Sequence, residues 1–214
     1  GVGIATIDGR PIPLQHVEEL EAALVPGARV RVPPGCQIEL ASQGTLAIQM
    51  TAETDAMVPG LPGRWFRRAV SGEIQSGECR ITTGPAFAGA RLMVVTPEAH
   101  VEVTGTTLAV ICEPTGTCVC VHQGSVRVGR EASDMTVVEQ GRRRYVFADP
   151  TGTAHSDLPT ASLPEQRLHK PLHILKVRIH VSGVTGHHRL IRGHKTIAAL
   201  KSYDNYTFAH MVNV

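Results

Sequence analysis

Lysine is absent from the first 150 residues of this 214-residue chain. Helices normally carry Lys and Glu on their solvent faces, so that absence turns the reading towards strands. No window of 18 apolar, uncharged residues occurs, which excludes a membrane-spanning helix within the chain. The start, Gly1-Val2-Gly3-Ile4-Ala5-Thr6-Ile7, lacks an initiator Met and the basic-then-apolar layout of a signal peptide, so it reads as an excised segment. Gly60-Leu61-Pro62-Gly63 has no Gly-Lys-Ser/Thr after it, and there is no Gly-x-Ser-x-Gly. A phosphate loop and a nucleophile elbow are therefore excluded.

What is present divides in two. Residues 1–150 hold 13 Arg and 16 acidic residues, a net of −3. Residues 151–214 hold all four Lys, four Arg, three acids and eight of the 11 His, a net of +5. With 42% hydrophobic residues, 21 Gly and 14 Pro, the chain is neither disordered nor collagen-like in composition, only rich in turns.

From 1 to 149 short apolar runs are cut at intervals of eight to 12 residues by Gly, Pro or Asp, and many alternate with period two. Examples are Gln37-Ile38-Glu39-Leu40, Leu92-Met93-Val94-Val95 and Val101-Glu102-Val103. This pattern predicts an all-β domain, an antiparallel sandwich or solenoid-like coil, with one short helix over 15–24. Pro114-Thr115-Gly116 and Gln123-Gly124 mark two tight reversals of an antiparallel meander, and Glu139-Gln140-Gly141 a third. Residues 150–189 read as a linker, although the alternation of 173–181 fits a strand. From 190 to 214 the apolar spacing becomes helical, as a short C-terminal tail.

The segment Val95-Thr96-Pro97-Glu98-Ala99-His100-Val101-Glu102-Val103-Thr104-Gly105-Thr106 resembles the signature of FecR-type domains. So does the hairpin Val121-His122-Gln123-Gly124-Ser125-Val126, and so does the late turn Glu139-Gln140-Gly141-Arg142. Leu24-Val25-Pro26-Gly27-Ala28-Arg29-Val30 matches an earlier strand, and the likeness spans roughly 1–148. It implies a non-enzymatic sensing or protein-interaction module of bacterial signal transduction, usually outside the cytoplasm. Its motif residues Thr96, Pro97, Gly105, Thr106, Gly124 and Gly141 read as architectural. Gly105 is expected where a Cβ would collide, Gly124 in a left-handed turn, and Thr106 as an edge cap.

Asp204-Asn205-Tyr206-Thr207-Phe208-Ala209-His210-Met211-Val212 resembles the start of an HD-GYP domain. In that family the His helps ligate a di-metal centre that hydrolyses cyclic di-GMP, usually in the cytoplasm. Only His210 matches a ligand position, and a metal centre needs several, so this stretch is expected to hold no cofactor and to be catalytically inert. The resemblance leaves two other readings: the regulatory part of a phosphodiesterase, or an envelope- or carbohydrate-binding β domain whose tail packs against it.

Three cysteines lie close together. With Thr115 central in its turn, register places Cys112 opposite Cys118, while Cys118, Cys120 and His122 share a strand face. A Cys112–Cys118 disulfide, a Cys3His zinc site and buried thiols are the alternatives, and thiols are the preferred one. Arg142-Arg143-Arg144 reads as the charged guard of an edge strand, and Trp65-Phe66 as a core anchor. The basic run His187 to Lys201 has no aromatic residues among its charges, so a solvated face fits it better than a nucleic-acid surface, and no nucleic-acid partner is expected.

Overall fold

The computed structural model describes residues 3–63, 68–149, 155–159 and 175–180, the last two stretches by their backbone pairing. The first strands, β1 (Ile4–Ile7) and β2 (Arg10–Pro13), form a hairpin. Helix α1 (Val17–Ala23) follows, burying Leu20. Next come β3 (Arg29–Arg31), β4 (Cys36–Ser42), β5 (Leu46–Met50), β6 (Asp55–Met57) and the 15-residue β7 (Ala69–Thr83). A 3-10 turn at Pro85–Phe87 leads to β8 (Arg91–Val95) and β9 (His100–Val103). The meander is β10 (Thr107–Glu113), β11 (Gly116–Gln123), β12 (Ser125–Gly129), β13 (Thr136–Glu139) and β14 (Arg142–Phe147). β15 (His155–Pro159) and β16 (Leu175–His180) complete the set.

Among the described residues the protein is all-β apart from α1 and the 3-10 turn, and its strands form one mixed, hydrogen-bonded sheet that does not close into a barrel. β7 belongs to two halves of that sheet. Its first half pairs with β6 and β8, its second with β5 and β10. One half runs β2-β1-β3-β6-β7-β8-β9-β12-β13, the other β16-β4-β5-β7-β10-β11-β14-β15. Side chains from both halves, including Val30, Leu92 and Val101 from one and Ile38, Ile81 and Val119 from the other, make one core. Burying each Leu, Ile or Val contributes about 1.5–3 kcal/mol, so these inward side chains hold the halves face to face.

Two pairings depart from the antiparallel expectation: β7 runs parallel to β8, and β16 parallel to β4. A parallel neighbour needs a crossover of a dozen or so residues. The second half of β7 and the turn after it supply that crossover, passing through the opposite half of the sheet before the chain returns at Arg91. Within the span read as a linker, β15 and β16 each add a strand to the second half, β16 where the alternation of 173–181 points to one. The expected helical tail over 190–214, with His210, lies outside the described residues, as do Trp65 and Phe66.

Candidate functional surface

The motif residues hold corners together. Thr96 and Ala99 exchange backbone and hydroxyl hydrogen bonds around Pro97: the Ala99 N–H donates to Thr96 Oγ1 at 2.9 Å, and the Thr96 N–H to the Ala99 carbonyl at 2.8 Å. The buried Thr96 and Thr117 hydroxyl oxygens lie 2.9 Å apart, and Thr117 donates to Glu98 at 2.8 Å, tying the β8–β9 corner to β11. The Thr106 hydroxyl donates to the Ser125 carbonyl at 2.7 Å, and its N–H to Thr83 Oγ1 at 2.7 Å, so it joins β10 to both β7 and β12. Gly124 takes φ +80°, and a Cβ there would lie 2.7 Å from the Gly105 carbonyl oxygen. Gly105 itself has open space where its Cβ would be, which corrects the expected collision. The close approach is real, but its steric demand falls on Gly124.

The cysteine register is also corrected. Glu113 pairs with Gly116, so the β10–β11 turn has two central residues and Cys112 faces Thr117, while Cys118 faces Ile111. A shift of one residue moves a side chain to the opposite face of a sheet. Cys112 therefore points into the core, and Cys118 and Cys120 point out of it. None of the five cysteines is in a disulfide. Burial pushes the Cys79 thiol up and that of Cys112 up to about 12, so both stay protonated and are poor nucleophiles.

The outward side of the second half-sheet is the least expected surface. Register sets Glu39, Gln49, Arg80, Ala109, Cys120 and Arg143 side by side across six strands. A second row carries Glu78, Ile111, Cys118 and Tyr145. Ala109, Cys118 and Cys120 form a small apolar cluster separate from the core, with Ile111 and Tyr145 packed against it. Arg80 donates from Nε to Glu78 at 2.7 Å, and the Tyr145 hydroxyl lies 2.6 Å from that of Thr115. The Tyr145 and Phe147 rings sit 4.7 Å apart between centroids. Burial, aided by the nearby Arg80, depresses the His122 pKa, which favours the neutral ring. Outer faces of such sheets are commonly solvated and polar. This one has an apolar, buried centre flanked by acid at β4 and base at β14. Arg143 also corrects the edge-guard reading, since β14 lies between β11 and β15.

Sequence reasoning missed this surface because its members are scattered over six strands. The available signal was Glu39 within Gln37-Ile38-Glu39-Leu40, a carboxylate only 2% exposed. The gap between the two halves, lined by Leu40, Ile48, Met57, Pro59, Cys79 and Leu92 among others, is apolar and offers no convergent polar groups.

A charged fork stands on the other half-sheet. Asp55 of β6 accepts from Arg29 Nε and from Arg31 Nε, both at 2.7 Å. Burial opposes ionisation of Asp55, but the hydrogen bonds and charges of the two guanidinium groups outweigh it and hold the carboxyl below its usual range. A depressed folded pKa adds stability that is complete above the unfolded value of about 3.9 and is lost as pH falls through the lower folded value. Thermal midpoints measured from about pH 6 to about pH 2.5 should therefore fall less steeply at the acid end in Asp55→Asn than in the parent. An unchanged acid limb would show that the fork carries no linkage.

No protein-family model matches the chain, and no curated protein matches it at a significant level. Among solved structures it is similar to two crystal structures of a protein from Parabacteroides distasonis ATCC 8503 described as a "putative anti-sigma factor". The first has a TM-score of 0.54 at 18% identity, the second 0.53 at 17%. Each match covers 68% of this chain and 66% of the other, so the chain spans just under two thirds of those structures. At that identity the likeness concerns the fold.

Proposed function

We propose that the chain is a FecR-like sensing and protein-interaction module of bacterial signal transduction that works by binding and not by catalysis. The observation that carries this reading is the shared β architecture with structures described as anti-sigma factors. The outward side of the second half-sheet adds to it: Arg80, Arg143 and Tyr145 are only partly buried beside its apolar centre, and Tyr and Arg are the residue types that most often anchor protein interfaces. The high pKa values of the buried thiols also fit a role without nucleophilic chemistry.

A photo-crosslinking residue placed at Tyr145 in cells of the source organism should yield an adduct with one defined protein. Arg80→Glu combined with Arg143→Glu should lower that yield at least about tenfold, because charge reversal leaves complementary partner charges unpaired. A crosslinker at Arg10, on the other half-sheet, should give no such adduct. Equal adducts from both positions, or none at Tyr145, would sink the interaction reading. Hydrolysis of cyclic di-GMP by the 214-residue chain would sink the claim that it is not an enzyme.

A further inference from the structure

We propose that Cys118 and Cys120 together form a two-thiol binding site for one soft divalent cation. The two residues stand two apart on β11, on the face directed away from the core, and their Sγ atoms are 3.7 Å apart. Two sulfur ligands each 2.3 Å from a tetrahedral metal are separated by about 3.8 Å, so the observed pair already has the edge length of such a site. Extended backbone alone sets alternate side chains wider than this. The rotamers of both cysteines have therefore turned the sulfurs towards each other.

The full Cys3His zinc set considered from sequence does not form, because Cys112 lies on the opposite face. Among the described residues no group of three or more His, Cys, Asp or Glu could hold a metal. Sulfur as the protein's contribution to ligation selects soft ions over hard ones. Charge selects further. Two thiolates with a divalent ion make a neutral unit, which a site as closed as this one, 4% and 1% exposed at the two cysteines, accommodates best.

On binding, each S–H bond breaks as its sulfur–metal bond forms, two protons pass to solvent, and no electrons are transferred. The contact with Cys118 and burial push the Cys120 thiol up, with Arg143 as the opposing charge. Metal-bound sulfur is thiolate, so binding releases protons and affinity should fall as pH falls. Ala109, without a side chain beyond Cβ, lies opposite Cys120 on one side, while Ile111 and Tyr145 flank Cys118.

Cadmium(II) is a suitable probe for the intact 214-residue chain, because its sulfur charge-transfer absorption reports thiolate ligation and ignores ions held by the C-terminal histidines. One equivalent should saturate that absorption, and X-ray absorption should show two sulfur neighbours. Cys118→Ser and Cys120→Ser should each abolish the band, whereas Cys36→Ser and Cys112→Ser should keep it. A band that survives in the Cys118→Ser, Cys120→Ser double variant would overturn the proposal. So would the absence of a band in the parent, or a sulfur count other than two. The sulfur count is read on the parent, so it decides the matter even where a variant does not fold.

Discussion

Gly77→Ala is expected to destabilise the protein by about 3–4 kcal/mol, read as a fall in the urea midpoint at an unchanged m-value. Gly77 sits where β7 leaves one half of the sheet and joins the other. On its N-terminal side, register with β6 slips, Ser76 pairing with Asp55 and Ile74 with Ala56; beyond it, β7 pairs with β5 and β10. Its φ is +87°, a conformation that costs a residue with a Cβ about 1–2 kcal/mol. A Cβ there would also lie 2.6 Å from the Thr54 Cα and 3.0 Å from the Glu53 carbonyl oxygen. Both are backbone atoms, so no side-chain rotation relieves the contact. Glu53 itself has φ +61°, which leaves that turn little freedom to retreat. Gly141→Ala gives the comparison: it shares a positive φ, +74°, but has open space at its Cβ, so it should cost the conformational part alone. Equal losses for the two variants would show that the backbone contact at β7 carries no energy.

Phe87→Ala should cost about 3–5 kcal/mol, the range for removing a fully buried aromatic ring. Phe87 is fully buried at the end of the 3-10 turn that returns the chain from β7 to β8. The turn is also tied to the β4–β5 hairpin, since Gly84 N–H donates to the Thr45 carbonyl at 2.9 Å and Ala86 N–H to the Gly44 carbonyl at 2.8 Å. The ring therefore anchors the crossover that makes the parallel β7–β8 pairing possible. Phe87→Leu keeps most of the volume and should lose under about 1.5 kcal/mol. A single chemical denaturation series over the parent, Leu and Ala variants checks both numbers. A loss below about 1 kcal/mol for the Ala variant would mean that the ring is not holding the crossover.

Much of the fold could be read from local pattern. The period-two runs at Leu92 to Val95 and Val101 to Val103 are strands with one face in the core. The short apolar spacing before Pro26 is a helix, and the alternation of 173–181 is a strand at Leu175–His180. Such features depend on residues within a few positions of one another. The candidate surface could not be read this way. Glu39 and Arg143 share a row only because four strands between them take one particular register.

The cysteines show how sharp that limit is. Placing the β10–β11 turn on one central residue or on two changes nothing in the local sequence pattern, yet it reverses which face each residue occupies. The first choice puts Cys112 opposite Cys118 on one face, and the second separates Cys112 from the Cys118–Cys120 face. The same holds for the glycines. Gly105 and Gly124 look alike as turn residues, but the steric demand belongs to Gly124 because it approaches the Gly105 carbonyl across the sheet.

The sequence by itself determined the all-β class, the succession of short strands and tight turns, and the buried alternation that makes a two-sided core. Only the tertiary structure decided that β7 serves both halves of the sheet, that β8 lies parallel to it, and which side chains line the outward surface. Periodicity specifies which face of a strand is apolar. Partner, direction and register are set by long-range packing, and a strand of the same pattern can satisfy more than one neighbour until that packing selects it.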